Sequence, residues 1–223
     1  MNGFTQYWLT GPSVWVILSL VLFVVIELAT RSGTAVRRGW LHTSRWLLVP
    51  YFALLTGSVS PRLMGLTAID WRLTLSFGVV FVALLLALAT LVRLATLTPP
   101  SPQPVARWAP RSRRFLLAGA EQFHWSFLRG AIWETLLINA AGLDFPAYWA
   151  VWVAALLALP EIWRQPNPPA QQLVKMLILA LSAVLFLYTR NFWLCWALHG
   201  VLWLFFDDGR PATDAGHDQP IAT

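Results

Sequence analysis

The sequence predicts an all-α fold, a polytopic transmembrane helical bundle of about seven spans, on three observations. Of its 223 residues, 57% are apolar and 12% are charged, about half the charged fraction usual in a water-soluble domain. Several uninterrupted apolar runs approach the roughly 20 residues that cross a bilayer as helix. The runs are continuous rather than alternating, which excludes a barrel and leaves helices to satisfy the backbone in lipid.

The net charge of +6 arises from fifteen Arg and one Lys against ten acidic residues. The arginines cluster between apolar runs, which points to membrane orientation and not to nucleic acid. The one cysteine, Cys195, lies in an apolar run. It excludes an intrachain disulfide and a metal-binding Cys pair, and reads as a packing residue. Several of the fourteen Trp (Trp8, Trp40, Trp46, Trp71, Trp149, Trp193) sit near segment ends, where an indole suits the headgroup level. The N-terminus lacks the basic stretch of a cleavable signal peptide, so the first apolar run is expected to stay in the mature protein.

Taken in order, the first span runs from about Ser13 to Thr30, with Glu27 near its end as an interfacial carboxylate. A basic connection follows, with Arg31, Arg37, Arg38, His42 and Arg45. The second span runs from Trp46 to about Ser58, weakened by Gly57 and Pro61. Arg62 and Asp70 mark a polar connection, and the third span, Trp71 to about Leu94, is long enough to cross with tilt. These make a three-span N-terminal region, residues 1–97. Residues 98–114 form a Pro- and Arg-rich linker. A four-helix core follows over 115–206, with helices at Phe115–Ala140, Tyr148–Leu159, Leu173–Tyr188 and Phe192–Phe206. The polar tail, 207–223, holds His217 and reads as disordered.

Basic residues set the orientation. Connections 31–45, 95–114 and 160–172 hold four, four and one of them, whereas the intervening connections hold Arg62 and Arg190. With seven spans, the N-terminus then lies outside and the C-terminus in the cytoplasm, and a bacterial plasma membrane is the expected setting.

An ionisable group at the centre of the hydrocarbon costs on the order of 2.5–3.5 kcal/mol, so it faces the protein interior and takes a partner. The helix from Phe115 holds Glu121, His124, Arg129 and Glu134. Glu121 and His124, three apart, share a face and can hydrogen-bond. Arg129, eight positions after Glu121, lies on roughly the same side. His199 falls mid-span beside Gly200, which permits close approach of another backbone. Glu161 closes the fifth span just after Pro160.

The stretch from His124 to Gly130 (His-Trp-Ser-Phe-Leu-Arg-Gly) resembles the first motif of the CPBP family, the CAAX-processing and bacteriocin-processing intramembrane proteases, which are similar to the Ras-converting enzyme. That motif reads Glu-Glu-x-x-x-Arg. Leu187 to Gly200, with His199, resembles the family's closing helix, which carries His-x-x-x-Asn. The resemblance covers residues 115–206. It implies a membrane-embedded site where a glutamate activates water for peptide hydrolysis and histidines stabilise the oxyanion. The chain departs from the pattern at several positions. His124 and Trp125 stand where the two glutamates belong, Glu161 stands where the middle motif has His, and Trp203 stands where Asn is usual. Arg129 and His199 remain in register.

Two expectations follow. In the first, the scaffold has lost hydrolysis and serves as a binding or accessory subunit for other integral membrane proteins, its cavity filled by Trp125 and Trp203. In the second, base and donor have traded helices: Glu161 or Glu121 acts as base, with His124 and His199 as donors, on a peptide or prenylated tail. No cofactor is required by either, although two histidines and a carboxylate could hold a divalent metal, or one histidine a haem- or chlorophyll-type pigment.

Overall fold

The computed structural model describes residues 11–31, 35–95, 111–140, 142–165, 167 and 169–206. Among them the chain forms seven helices and no strand: α1 (Pro12–Ala29), α2 (Ala35–Leu55), α3 (residues 71–95), α4 (Arg111–Asn139), α5 (Pro146–Arg164), α6 (Pro169–Thr189) and α7 (Phe192–Phe206). Trp8, His217, most of the expected linker and the expected tail lie outside the described residues.

Four stretches are long and apolar enough to cross a membrane: Pro12–Ala29, Trp71–Thr90, Pro146–Arg164 and Gln171–Thr189. Helix α7 is apolar but shorter, at 15 residues. Helices α2 and α4 are long but carry Arg37, Arg38 and Arg45, and Glu121, Arg129 and Glu134, respectively. The number of helices equals the number of spans expected, while four meet the criterion of length and composition.

Helix α4 is the axis of the bundle and packs against α1, α2, α5 and α7. Phe127, Leu128 and Ala131 on it are fully buried. Helix α6 packs between α5 and α7, and α3 meets α6 through its first turns and α7 further on. The outer surface is apolar: Val21, Leu28, Leu84 and Leu88 on α1 and α3 are each more than half exposed.

Three boundaries differ from expectation, and each moves a charged residue into a helix. Helix α2 begins at Ala35, well before Trp46, so Arg37, Arg38 and Arg45 are helical and not in a connection. Helix α4 begins at Arg111, which places Arg113 and Arg114 in its first turn. Helix α5 continues through Pro160 to Arg164. A proline there removes one backbone donor and crowds the preceding turn. Burial of Ala158 and Ile162 and hydrogen bonds to Glu161 hold the helix past it.

The connections opposite the charged end are tied by side-chain and backbone hydrogen bonds. Asp70 caps α3, its Oδ1 accepting from Leu73 N at 3.0 Å. Asn191 caps α7, its Oδ1 accepting from Leu194 N at 3.2 Å, and its Nδ2 donates to Thr74 Oγ1 at 3.3 Å. Thr74 opens a π-helical turn, Thr74–Gly78, within α3. Phe192 N donates to Gly65 O at 2.9 Å, and Ser60 N donates to Glu134 at 2.7 Å. Glu134 is therefore spent at this end and does not meet Arg129.

Candidate functional site

The opposite end of the bundle holds a cavity of about 280 Å³, walled by the end of α1, the start of α2, the first turns of α4, the end of α5, the start of α6 and the latter half of α7. Glu121, Glu161 and His199, three of the five expected site residues, line it. Glu27, Arg38, His42, Lys175 and Trp203 line it as well.

Three ion pairs build its walls. Deepest is Glu161, whose Oε2 accepts from Arg45 Nη2 at 2.5 Å and from Trp46 Nε1 at 3.1 Å. Its Oε1 lies 3.1 Å from His124 Nε2. Arg45 also donates through Nη1 to Ser19 O at 3.0 Å and Ser19 Oγ at 2.9 Å, so one guanidinium joins α1, α2 and α5. Side-chain exposure of Arg45 and Glu161 is 1% and 3%. Two charges so far from water persist only when each satisfies the other and the remaining donors find acceptors.

The second pair is Glu121 with Lys175, whose Nζ lies 3.1 and 2.9 Å from the two carboxylate oxygens. Gln165 Nε2 donates to Glu121 Oε1 at 3.0 Å, and Lys175 Nζ donates to Gln165 Oε1 at 2.5 Å, closing a triangle across α4, α5 and α6. Lys175 also lies 4.4 Å from the centre of the Trp203 ring, a favourable position for a cation over an indole. In the third pair, Arg38 donates to both oxygens of Glu27 and to Arg164 O at 2.8 Å. His42 Nε2 lies 3.0 Å from Glu27 Oε1.

His199 is fully buried. Its ring stacks on Trp125 with centroids 4.8 Å apart and planes 11° from parallel. Its Nε2 lies 3.7 Å from Glu121 Oε2, beyond hydrogen-bond reach, and neither ring nitrogen has a hydrogen-bond partner among the described residues. The expected fit of Gly200 is met by a ring and not by backbone: a Cβ there would fall 2.4 Å from Phe115.

Several expectations are corrected. Glu121 and His124 do not bond each other; one reaches α6 and the other reaches α5. Three positions along a helix leave side chains diverging by about 60°, enough for different neighbours to claim them. Arg129 lies away from the cavity, donating to Ser182 Oγ at 2.9 Å and stacking over Phe186 at 5.2 Å. Glu27, read as an interfacial carboxylate, and His42, read as part of a connection, are drawn into the cavity wall. Among the described residues no three His, Cys, Asp or Glu are grouped so as to hold a metal ion.

Sequence reading missed Arg45, Trp46, Gln165 and Lys175. Lys175 carried a usable signal: it is the only Lys in the chain and falls in an apolar run, where an ionisable group marks a site by default. Arg45 gave none, because its role depends on where α2 begins.

No protein-family model matches the chain, and neither curated proteins nor solved structures give a match.

Proposed function

We propose that the chain is a multi-pass membrane protein of CPBP-like arrangement that binds and does not hydrolyse, serving as a binding or accessory subunit for other integral membrane proteins. Its charged end faces the bacterial cytoplasm and its N-terminus lies outside. Membrane residence is supported by four apolar helices of spanning length and by the apolar side chains exposed on α1 and α3, an outer surface suited to lipid. The orientation is supported by Arg31, Arg37, Arg38, Arg113, Arg114 and Arg164, which gather at the cavity end of the bundle.

One observation carries the choice of binding over hydrolysis. Each cavity carboxylate is already held by a cation of the chain: Glu27 by Arg38, Glu121 by Lys175 and Glu161 by Arg45. A general base needs a free oxygen within reach of the water it deprotonates. Here the oxygens of Glu161 receive Arg45, Trp46 and His124, and Trp125 covers one face of His199.

A second reading rests on the contact of Glu161 with His124 at 3.1 Å. These residues occupy one another's expected motif positions, as though base and donor had exchanged helices. In that reading Glu121, 3.7 Å from His199, is the base of an endopeptidase acting on a peptide or prenylated tail.

The discriminating experiment is affinity purification of the full chain in mild detergent, paired with a survey of membrane-protein processing in cells carrying Glu121→Gln or His199→Ala. The binding reading expects a membrane protein to co-purify and processing to remain unchanged. A chain that purifies alone, with processing lost in both variants, would establish the hydrolase.

A further inference from the structure

The charged cavity does not end at its own walls. A second, apolar groove of about 760 Å³ runs beside it between α2, α4 and α7. Gly39, Thr43 and Leu117 line both spaces, so a molecule can occupy the two at once. The two differ sharply in chemistry. The groove is walled by Leu47, Leu116, Phe123, Phe192, Trp193 and Trp196 among others, several of them strongly exposed. The cavity carries Arg38, Lys175 and Arg164 against its carboxylates, along with His199, whose two ring nitrogens have no partner among the described residues.

The charge balance gives the sign of the occupant. Glu27, Glu121 and Glu161 are matched one for one by Arg38, Lys175 and Arg45. Arg164 is then a further cation at the mouth, exposed and with no carboxylate partner among the described residues. A cavity of positive excess with an unpartnered imidazole suits a phosphate-bearing group, and a groove of this volume is of the size that takes up much of an apolar ligand.

We infer that the two spaces form one bipartite site for an anionic phospholipid, its phosphate in the charged cavity near Arg164 and His199 and one acyl chain in the groove beside Trp193 and Trp196. The inference rests on the binding reading above and names its ligand. Val36 and Gly39 at the start of α2 and Arg113 at the start of α4 bring one end of the groove to the charged end, and entry is from the leaflet there.

Gly39 provides a clean test. A Cβ built there meets nothing within 4 Å, so a larger side chain enters the shared space without disturbing the helix packing. The full chain, purified in a mild detergent, is exchanged with palmitoyl-oleoyl phosphatidylglycerol, with the phosphatidylcholine of the same chains, or with glycerol 3-phosphate, and retained molecules are counted by native mass spectrometry. Wild type is expected to keep one phosphatidylglycerol with at least tenfold preference over phosphatidylcholine. Gly39→Leu is expected to lose that retention at least tenfold, and Arg164→Gln to lose the preference, while Leu84→Ala, on a helix that lines neither space, changes neither. Equal retention of both lipids by wild type overturns the inference, as does phosphatidylglycerol retention unaltered in Gly39→Leu. Retention of glycerol 3-phosphate with no lipid overturns the acyl-chain half and with it the bipartite site. Co-purification of a protein partner, scored on the same preparation, reports on the binding reading separately.

Discussion

Lys175 shows how little freedom a buried charge has in this bundle. Its ammonium is shared between both oxygens of Glu121 and the amide of Gln165, with the Trp203 ring alongside. Removing one member of such a pair leaves the other charge buried and uncompensated, a loss of about 3–5 kcal/mol. Lys175→Met is therefore expected to destabilise the protein by about 3 kcal/mol or more, read from its unfolding midpoint in denaturant at fixed detergent. Adding Glu121→Gln to Lys175→Met removes the stranded charge and should restore a large part of the loss. A single Lys175→Met variant as stable as wild type would mean that the pair is not formed. The same logic distinguishes Arg129, whose guanidinium meets a hydroxyl and an aromatic face and, among the described residues, no carboxylate.

At the scale of elements, helix ends decide which residues become site residues. Asn191 sits at the start of α7 and bonds in two directions, capping that helix and reaching Thr74 at the π-helical turn of α3. Loss of an N-cap side chain costs about 1 kcal/mol, so Asn191→Ala should lower the unfolding temperature modestly without altering what the cavity binds. A fall in both stability and binding would instead place Asn191 in the binding machinery. The apolar runs of α1, α3, α6 and α7 were legible in the sequence, because a continuous hydrophobic stretch has few alternatives. Glu121 was legible too, since a carboxylate inside such a stretch calls for a partner, whereas His199, legible for the same reason, meets no hydrogen-bond partner among the described residues. The partners were not legible. Arg45 meets Glu161 across 116 positions, and no local spacing encodes that encounter. Pro160 pointed to a helix end that tertiary packing overrode, and the arginines after Ala35 pointed to a connection where the chain forms the first turns of α2.

On the scale of the whole molecule, charge is sorted to one end. The cavity, Arg37, Arg38 and Arg45 of α2, Arg113 and Arg114 of α4 and the junction of α5 with α6 all lie there, while Arg62, Arg72, Asp144 and Arg190 lie in the connections or helix ends opposite. In the proposed orientation, Ser112→Cys reacts with an impermeant maleimide only after the membrane is opened, and Arg62→Cys reacts in intact cells. Cys195 is buried and contributes no background. Both cysteines reacting in intact cells would refute the topology. The first half of the chain closes over the second through buried charges. A double-mutant cycle on Arg45→Leu and Glu161→Leu measures that closure most directly, because Arg45 and Glu161 join α2 to α5 with almost no exposure. The two single losses are each expected to be large, and the double variant to regain about 2–3 kcal/mol relative to their sum. Additive losses, with no coupling between the two positions, would contradict that closure.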